Sequence, residues 1–323
     1  MNQSESGTDA SSLSRAASGG GAAPAPASDE PPIIAVDGLI KRFGDQVVLD
    51  GVDLSVNPGE TLVVMGGSGS GKSTLLRLII GSLVPDAGDV RLFGRSICHM
   101  DEEALNEVRK RFGILFQSGA LFNSMTLAEN VALPLQEHTT LDHSTIDIMV
   151  TIKLELVGLR EHADKYPAQI SGGMKKRAGL ARALALDPQI LFYDEPSAGL
   201  DPVTSAQIDQ LIADLTNKLG VTSVVVTHEM DSAFRIADRM IMLDRGRVLM
   251  IDERQRFERL RDHPGDRLSE LDDASKLIRQ FLRGDAEGPI TQRKSSTGYA
   301  EDLLGRPVTD RTEGPAVEAT RVA

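Results

Sequence analysis

The sequence predicts an α/β fold with a parallel core sheet, an antiparallel β part and an inserted helical subdomain. Three features carry that expectation. Short apolar runs rich in β-branched residues alternate with segments of helical spacing, the pattern of strands buried on both faces and the helices that connect them. A glycine-rich loop, "GGSGSGKST" (66–74), joins one such run to one such helix. Between Gln117 and about Leu184 the strand signal disappears and helical spacing alone remains.

The elements follow in chain order. Residues 1–32 are rich in Gly, Ala, Ser and Pro with no apolar stretch, so they read as a disordered tail rather than a secretory signal. In "VVLDGVDLSV" (47–56) Val52, Leu54 and Val56 alternate with polar residues, as in a half-exposed antiparallel strand. "TLVVM" (61–65) reads as a buried strand, and helical spacing begins near Ser73 and runs to residue 83. "DVRLFG" (89–94) is a further strand and 101–111 a further helix. "RFGILFQ" (111–117), "QILFYDEP" (189–196) and "TSVVVTH" (222–228) are apolar runs suited to parallel strands. Helical patterns at 203–218 and 231–237 alternate with them, and "RMIMLDRGRVLMID" (239–252) reads as a hairpin turning at "DRGR". The insert spans about 118–185 and includes "LDHSTIDIMVTIKLELVGL" and "GGMKKRAGLARALAL". "LDDASKLIRQFLRG" (271–284) is a helix that Gly284 can cap. The globular domain is therefore 33–283, followed by a polar tail over 284–323.

Composition narrows the function classes. The chain has 323 residues and a formal net charge of -12, which argues against nucleic acid as a partner. Cys98 is the single cysteine, so no internal disulfide forms and a reducing compartment fits. No apolar run is long enough to span a membrane.

The glycine-rich loop reads as a phosphate cradle. Between strand and helix, successive backbone N–H groups and the positive end of the helix dipole can face an anion. Gly66, Gly67, Gly69 and Gly71 allow close backbone approach, and Ser68, Ser70 and Thr74 complete the ATP-binding stretch. Lys72 would reach the β- and γ-phosphates, and the Ser73 hydroxyl would ligate Mg²⁺. Asp194 ends the apolar strand "ILFY", where a carboxylate can hold Mg²⁺ directly or through water; Glu195 would polarise an attacking water.

With "FQ" ending at Gln117, "ISGGM" (170–174), "ILFYDEP", "SAGLD" (197–201) and "VVVTHEM" (224–230) in that order after the loop, the sequence resembles an ABC-type ATPase over 33–283. The resemblance implies a role for each matching residue. Phe43, in "KRFG", would stack on adenine. Gln117 would touch Mg²⁺ and the attacking water and signal to a membrane partner. Ser171, Gly172 and Gly173 would contact the γ-phosphate held by the other monomer, Asp201 would organise the dimer seam, and His228 would link Glu195 to the γ-phosphate. "SGG" at a helix start is a second anion nest with Ser171 as N-cap, and a head-to-tail dimer would bring the two nests together. Met174 stands where the family signature usually has glutamine, and methionine cannot supply those hydrogen bonds. Lys175, Lys176 and Arg177 read as a solvated helix face, and His99, His138, His143, His162 and His263 as surface residues.

"GILFQSGALFNSMTLAENVALPLQEHT" (113–139), the signature with methionine and the late "IRQFLRG…GPI" are similar to the ATPase subunits of Mla- and Mce-type lipid transporters. That likeness implies ATP hydrolysis with Mg²⁺ at the cytoplasmic face of the inner membrane, as a peripheral homodimer. It also implies a permease pair, an MCE lipid-binding protein and a small cytoplasmic regulatory subunit as partners. The segment "SGALFNSMTLAENVALPL", with Leu121, Phe122 and Met125 exposed, would receive the permease's cytoplasmic helix. Ile290, Tyr299, Leu303 and Leu304 would anchor the tail on the neighbouring subunit. An ABC ATPase for another solute and a soluble, non-transport ABC protein are the competing readings.

Overall fold

A computed structural model describes residues 31–291. The expectations for Tyr299, Leu303 and Leu304, and for residues 1–30, lie outside the described residues.

The chain runs β1 (Ile34–Phe43), β2 (Gln46–Val56), β3 (Thr61–Gly66), α1 (Lys72–Ile79), β4 (Ala87–Leu92), β5 (Arg95–Ser96), α2 (Glu102–Arg109) and β6 (Phe112–Leu115). Three helices follow, α3 (Leu127–His138), α4 (His143–Leu156) and α5 (Gly172–Ala183). The chain then returns to the sheet with β7 (Ile190–Asp194), α6 (Pro202–Leu219), β8 (Thr222–Val226), α7 (Met230–Ile236), β9 (Arg239–Asp244), β10 (Arg247–Glu253), α8 (Arg254–Arg261) and α9 (Asp273–Arg283).

Two sheets form among these strands. The core sheet has the order β10-β9-β3-β8-β7-β6, parallel except where β10 pairs antiparallel with β9. The second is antiparallel, in the order β2-β1-β4-β5. The apolar runs are apolar because both faces of the core sheet are covered. Leu62 and Val64 of β3 and Ile190 and Phe192 of β7 face a core shared with the antiparallel sheet and α1. Their alternates, Val63, Met65, Leu191 and Tyr193, face a second core shared with α3, α4, α5 and α6. The glycine-rich loop thus joins a strand packed on both faces to a helix packed on one of them.

Three elements were not anticipated. Strand β1 carries register shifts around Leu39 to Arg42, so its apolar residues do not keep a period of two. β5 has only two residues, and α8, "RQRFERLR", is mostly charged and buries only Phe257 and Leu260. The helix after the loop ends at Ile79 rather than 83, where Gly81 turns with φ +68.

Candidate functional site

The loop after β3 holds its shape by close backbone packing. At Gly66, φ is +150, and an added Cβ would lie 2.3 Å from the Leu243 carbonyl oxygen and 2.6 Å from Ser70 Oγ. Gly71 caps α1 at φ +105 with no side-chain cap, so the first amides of α1 face the loop's interior. The far side is fixed by the turn of the β9–β10 hairpin, where the Gly246 amide donates to the Ser70 carbonyl at 3.0 Å. Ser70 Oγ is buried without a protein partner. A narrow cradle of amides with an orphan hydroxyl fits a phosphate chain. Lys72 Nζ donates to the Gly66 and Gly67 carbonyls at 2.8 and 3.0 Å. Burial lowers its pKa, while Glu195 and then Asp194 pull it back up.

β7 delivers the two acids. Asp194 has its pKa raised, first by burial and then by the neighbouring Glu195 charge, with Arg77, Lys176 and Lys72 opposing. Glu195 adopts φ +50, a left-handed conformation that costs a non-glycine residue about 1–3 kcal/mol. Its amide donates to the Val226 carbonyl at 2.9 Å, and its carbonyl accepts from the Ala198 amide at 3.2 Å. Its carboxylate meets His228 Nδ1 at 2.8 Å and the His228 amide at 3.4 Å. Asp194 thus ends β7, and Glu195 leaves the strand through this left-handed turn with its carboxylate on His228.

A cleft of about 730 Å³ collects part of this set, with Ser70, Ser73 and Asp194 outside its lining. Gly66, Gly67, Ser68 and Lys72 line one wall and Glu195, His228 and Met230 another. The end of α9, Phe281 to Gly284, forms a third. The remaining candidates stand outside this lining. Phe43 is 50% exposed, with the Lys41 ammonium 5.6 Å from its ring centroid. Gln117 is exposed beyond β6 at the sheet edge. Ser171 caps α5 by accepting from the Met174 amide at 3.3 Å, with Ser171 and Gly172 exposed and Gly173 buried against Thr204. Asp201 caps α6 through the Val203 and Thr204 amides, both at 3.0 Å. Neither Ser171, Gly172 nor Gly173 lines the cleft of its own chain.

Ser73, Gln117 and Asp194 are hard oxygen donors of the kind that suits Mg²⁺. Among the described residues no group of three or more His, Cys, Asp or Glu could cage a metal by itself.

Several expectations need correction. Lys176 is not on a solvated face: it is 5% exposed and its Nζ donates to the Glu195 carbonyl at 3.0 Å. Arg177 turns inward to the Val157 carbonyl at 3.3 Å. Of Leu121, Phe122 and Met125 only Phe122 is exposed: Leu121 packs against the helical side of the core and Met125 is partly buried. Met174, for which the sequence implied no burial, also packs on the helical side. His162 and His263 are partly buried, leaving His99, His138 and His143 exposed. The sequence reading missed Lys176 because a lysine run on a helix looks solvated unless the helix packing is known. It identified α9 but not that its end would reach the cleft, because helical spacing says nothing about destination.

Comparison with known proteins gives the family and the fold. The family model described as ABC transporter matches residues 49–198. The intermembrane phospholipid transport system ATP-binding protein MlaF of Haemophilus influenzae is 39% identical, covering 84% of this chain and 98% of that protein. The protein of the same name from Escherichia coli K12 is 42% identical, covering 81% and 92%. A probable ribonucleotide transport ATP-binding protein, mkl, of Mycobacterium leprae is 42% identical, covering 83% and 74%. Among solved structures, the dimeric post-hydrolysis state of the ATP-binding cassette MJ0796 bound to ADP and Pi superposes with a TM-score of 0.63. It is 32% identical, covering 68% of this chain and 98% of that one.

Proposed function

The chain belongs to the ABC transporter ATP-binding family, and from that premise we propose that it is the ATP-hydrolysing subunit of a membrane transporter moving phospholipids or related lipids. The observation that carries the catalytic reading is the cleft in which the phosphate loop, Lys72, Glu195 and His228 converge. Hydrolysis needs the water oxygen to attack the γ-phosphorus while the bond to the β–γ bridging oxygen breaks, giving ADP and inorganic phosphate. The Glu195 carboxylate takes the water proton. His228, tied to that carboxylate, faces the γ-phosphate, and Lys72 with the α1 amides offsets the charge that builds on it. Mg²⁺, held by Ser73, Asp194 and Gln117, would screen the phosphate oxygens.

The separation of Ser171–Gly173 from the cleft supports a two-chain site. The nest of one subunit then completes the cleft of the next, and Asp201 lies along the seam. Phe43 is free to stack on adenine.

A groove of about 1000 Å³ supports docking of a permease helix at the cytoplasmic face of the inner membrane. It runs between α2, β6 and α3, with Phe116, Pro134, His138 and Arg182 on its helical side. The neighbouring loop is held by Asn130, which accepts from the Phe122 amide at 2.8 Å and donates to the Phe122, Met125 and Thr126 carbonyls. Phe122 is left 51% exposed on that rigid loop. Ile148, Ile152 and Leu156 form an exposed stripe on α4, suited to a further small regulatory subunit. An MCE-type lipid-binding protein would complete the assembly across the membrane.

Lipid is favoured over ribonucleotide as cargo because the phospholipid-transport relatives align along nearly their whole length. The test is purification from membranes in mild detergent with mass spectrometry of co-purifying proteins and lipids. A permease and bound phospholipid are expected; a complex that binds and moves ribonucleotides would replace this reading.

A further inference from the structure

Lys176 is the one buried cation that touches the catalytic residue's own backbone among the described contacts. Its placement follows from how α5 sits. Helix α5 starts at the exposed Ser171 cap and then lies on β6 at backbone distance. An added Cβ on Gly179 would be 2.8 Å from the Gly119 carbonyl oxygen, and one on Gly113 of β6 would be 2.2 Å from that of Ala183. So close a crossing carries the second turn of α5 under the C-terminal end of β7. There Lys176 is 5% exposed; burial lowers the pKa of its ammonium, and the charges of Asp194, Glu195 and Glu229 oppose that shift.

A lysine buried only to neutralise acids would ion-pair with a carboxylate. Lys176 instead donates to the main-chain carbonyl of Glu195 at 3.0 Å. That residue holds the left-handed φ of +50. Three hydrogen bonds fix its backbone: the amide to Val226, and the carbonyl from Ala198 and from Lys176. The two backbone partners come from β8 and from the turn after β7, which belong to the catalytic layer itself. Only Lys176 comes from the helix whose first turn carries the Ser171–Gly173 nest.

We infer that Lys176 is a positioning residue for ATP hydrolysis: its ammonium pins the strained Glu195 backbone so that the carboxylate stays on His228, and it ties the signature helix of each subunit to that subunit's own cleft. The inference rests on Glu195 being the proton acceptor.

The test uses the full chain in its membrane complex, with K176M, K176R, E195Q and the double variant K176M/E195Q. K176M is expected to lower kcat for ATP about tenfold with KM within about twofold, because a loosened general base loses part of a contribution that is typically 10²–10⁴-fold. K176R, which keeps charge and reach, restores at least half of the lost activity. In the E195Q background K176M costs less than a further twofold, since residues acting as one unit are not additive. K176M leaves the Glu195 carbonyl and the neighbouring acids without their cation, so its thermal midpoint falls and K176R recovers it; kcat is therefore compared at a temperature where both variants stay folded. If K176M does not assemble, K176Q, which drops the charge, is read in its place. An unchanged kcat, a loss confined to KM, failure of arginine to rescue, or full additivity with E195Q overturns the inference. Near-normal turnover of E195Q alone would instead remove the assignment of Glu195 on which it rests.

Discussion

Replacing Glu195 by glutamine separates nucleotide binding from chemistry. The side chain is 14% exposed and contacts His228 through both the ring Nδ1 and the backbone amide. Glutamine has the same shape and can keep a hydrogen bond to the histidine, and the backbone contacts to Val226, Ala198 and Lys176 do not involve the side chain at all. What disappears is a proton acceptor and one negative charge. Loss of a general base costs about 10²–10⁴ in rate, or about 2.7–5.5 kcal/mol of barrier. The lost charge acts on binding in the opposite direction. Glu195 competes for Lys72 and repels Asp194, so its neutralisation leaves Lys72 freer to meet phosphate and Asp194 more readily ionised. ATP affinity is therefore unchanged or tighter while turnover falls at least about a hundredfold, and an ATP-bound dimer accumulates. Phosphate release by the membrane complex measures the first effect, fluorescent-nucleotide titration the second, and light scattering after size exclusion the third. Turnover within about threefold of the parent would refute the reasoning, because no general base costs so little.

Lys72→Ala removes a charge-assisted contact worth about 1.5–3 kcal/mol, so ATP affinity should fall tenfold or more in the same titration; normal affinity would reject the loop assignment. Met174→Gln should leave ATP turnover intact while lowering the thermal midpoint by about 2–4 °C, the effect of about 1 kcal/mol lost from core packing; an unchanged midpoint with lost turnover would instead place this side chain at the nucleotide. Asp142, Asp201 and Asp272 cap α4, α6 and α9, and hydrogen bonds from Ser144, Thr204 and Ser275 respectively hold their carboxyls below the usual range. Because these folded-state values are depressed, their stabilisation is present above the ordinary carboxylate pKa of about 4 and lost as pH falls through the lower folded values; Asp272→Asn should flatten the acid limb of a circular-dichroism titration, and an identical limb would contradict this. Gln280 bonds to the Ile290 amide at 2.7 Å, the Asp285 carbonyl at 3.1 Å and the Thr291 hydroxyl at 3.4 Å, strapping 285–291 onto α9. Gln280→Ala should release the strap by about 2 kcal/mol and speed tryptic cleavage after Arg283 by up to ~30-fold, and unchanged cleavage would show that other contacts hold it.

The core strands were legible because burial on both faces leaves no room for polar residues, so "ILFY" and "SVVV" identify themselves. The loop at 66–74 was legible for a related reason: glycines at Gly66 and Gly71 answer to steric demands that any side chain would violate. The antiparallel sheet was read only in part. β2 and β4 show their alternation, but β1 does not, since its register shifts place Asp37, Gly38, Lys41 and Arg42 inside the strand. Side-chain destinations on helices were the weakest inference. "MKKR" carries polarity without direction, and only the close crossing of α5 over β6 decides that Lys176 goes under Glu195 while Arg177 goes to Val157.

The charge of the chain and the charge of its site have opposite signs of consequence. At -12, two copies repel one another and repel ATP. Against that background the cleft presents Lys72, Lys176 nearby and the unsatisfied amides at the start of α1, and the exposed face presents the start of α5 with its Ser171 cap. Both helix starts attract anions, and in one chain they do not line the same cleft. In the proposed dimer each ATP sits between the α1 start of one subunit and the α5 start of the other, so the nucleotide offsets a repulsion that the subunits alone leave standing. Hydrolysis and phosphate release remove that bridge, and the like charge of the two chains then favours opening. The acidic balance thus biases the apo state open without any dedicated spring.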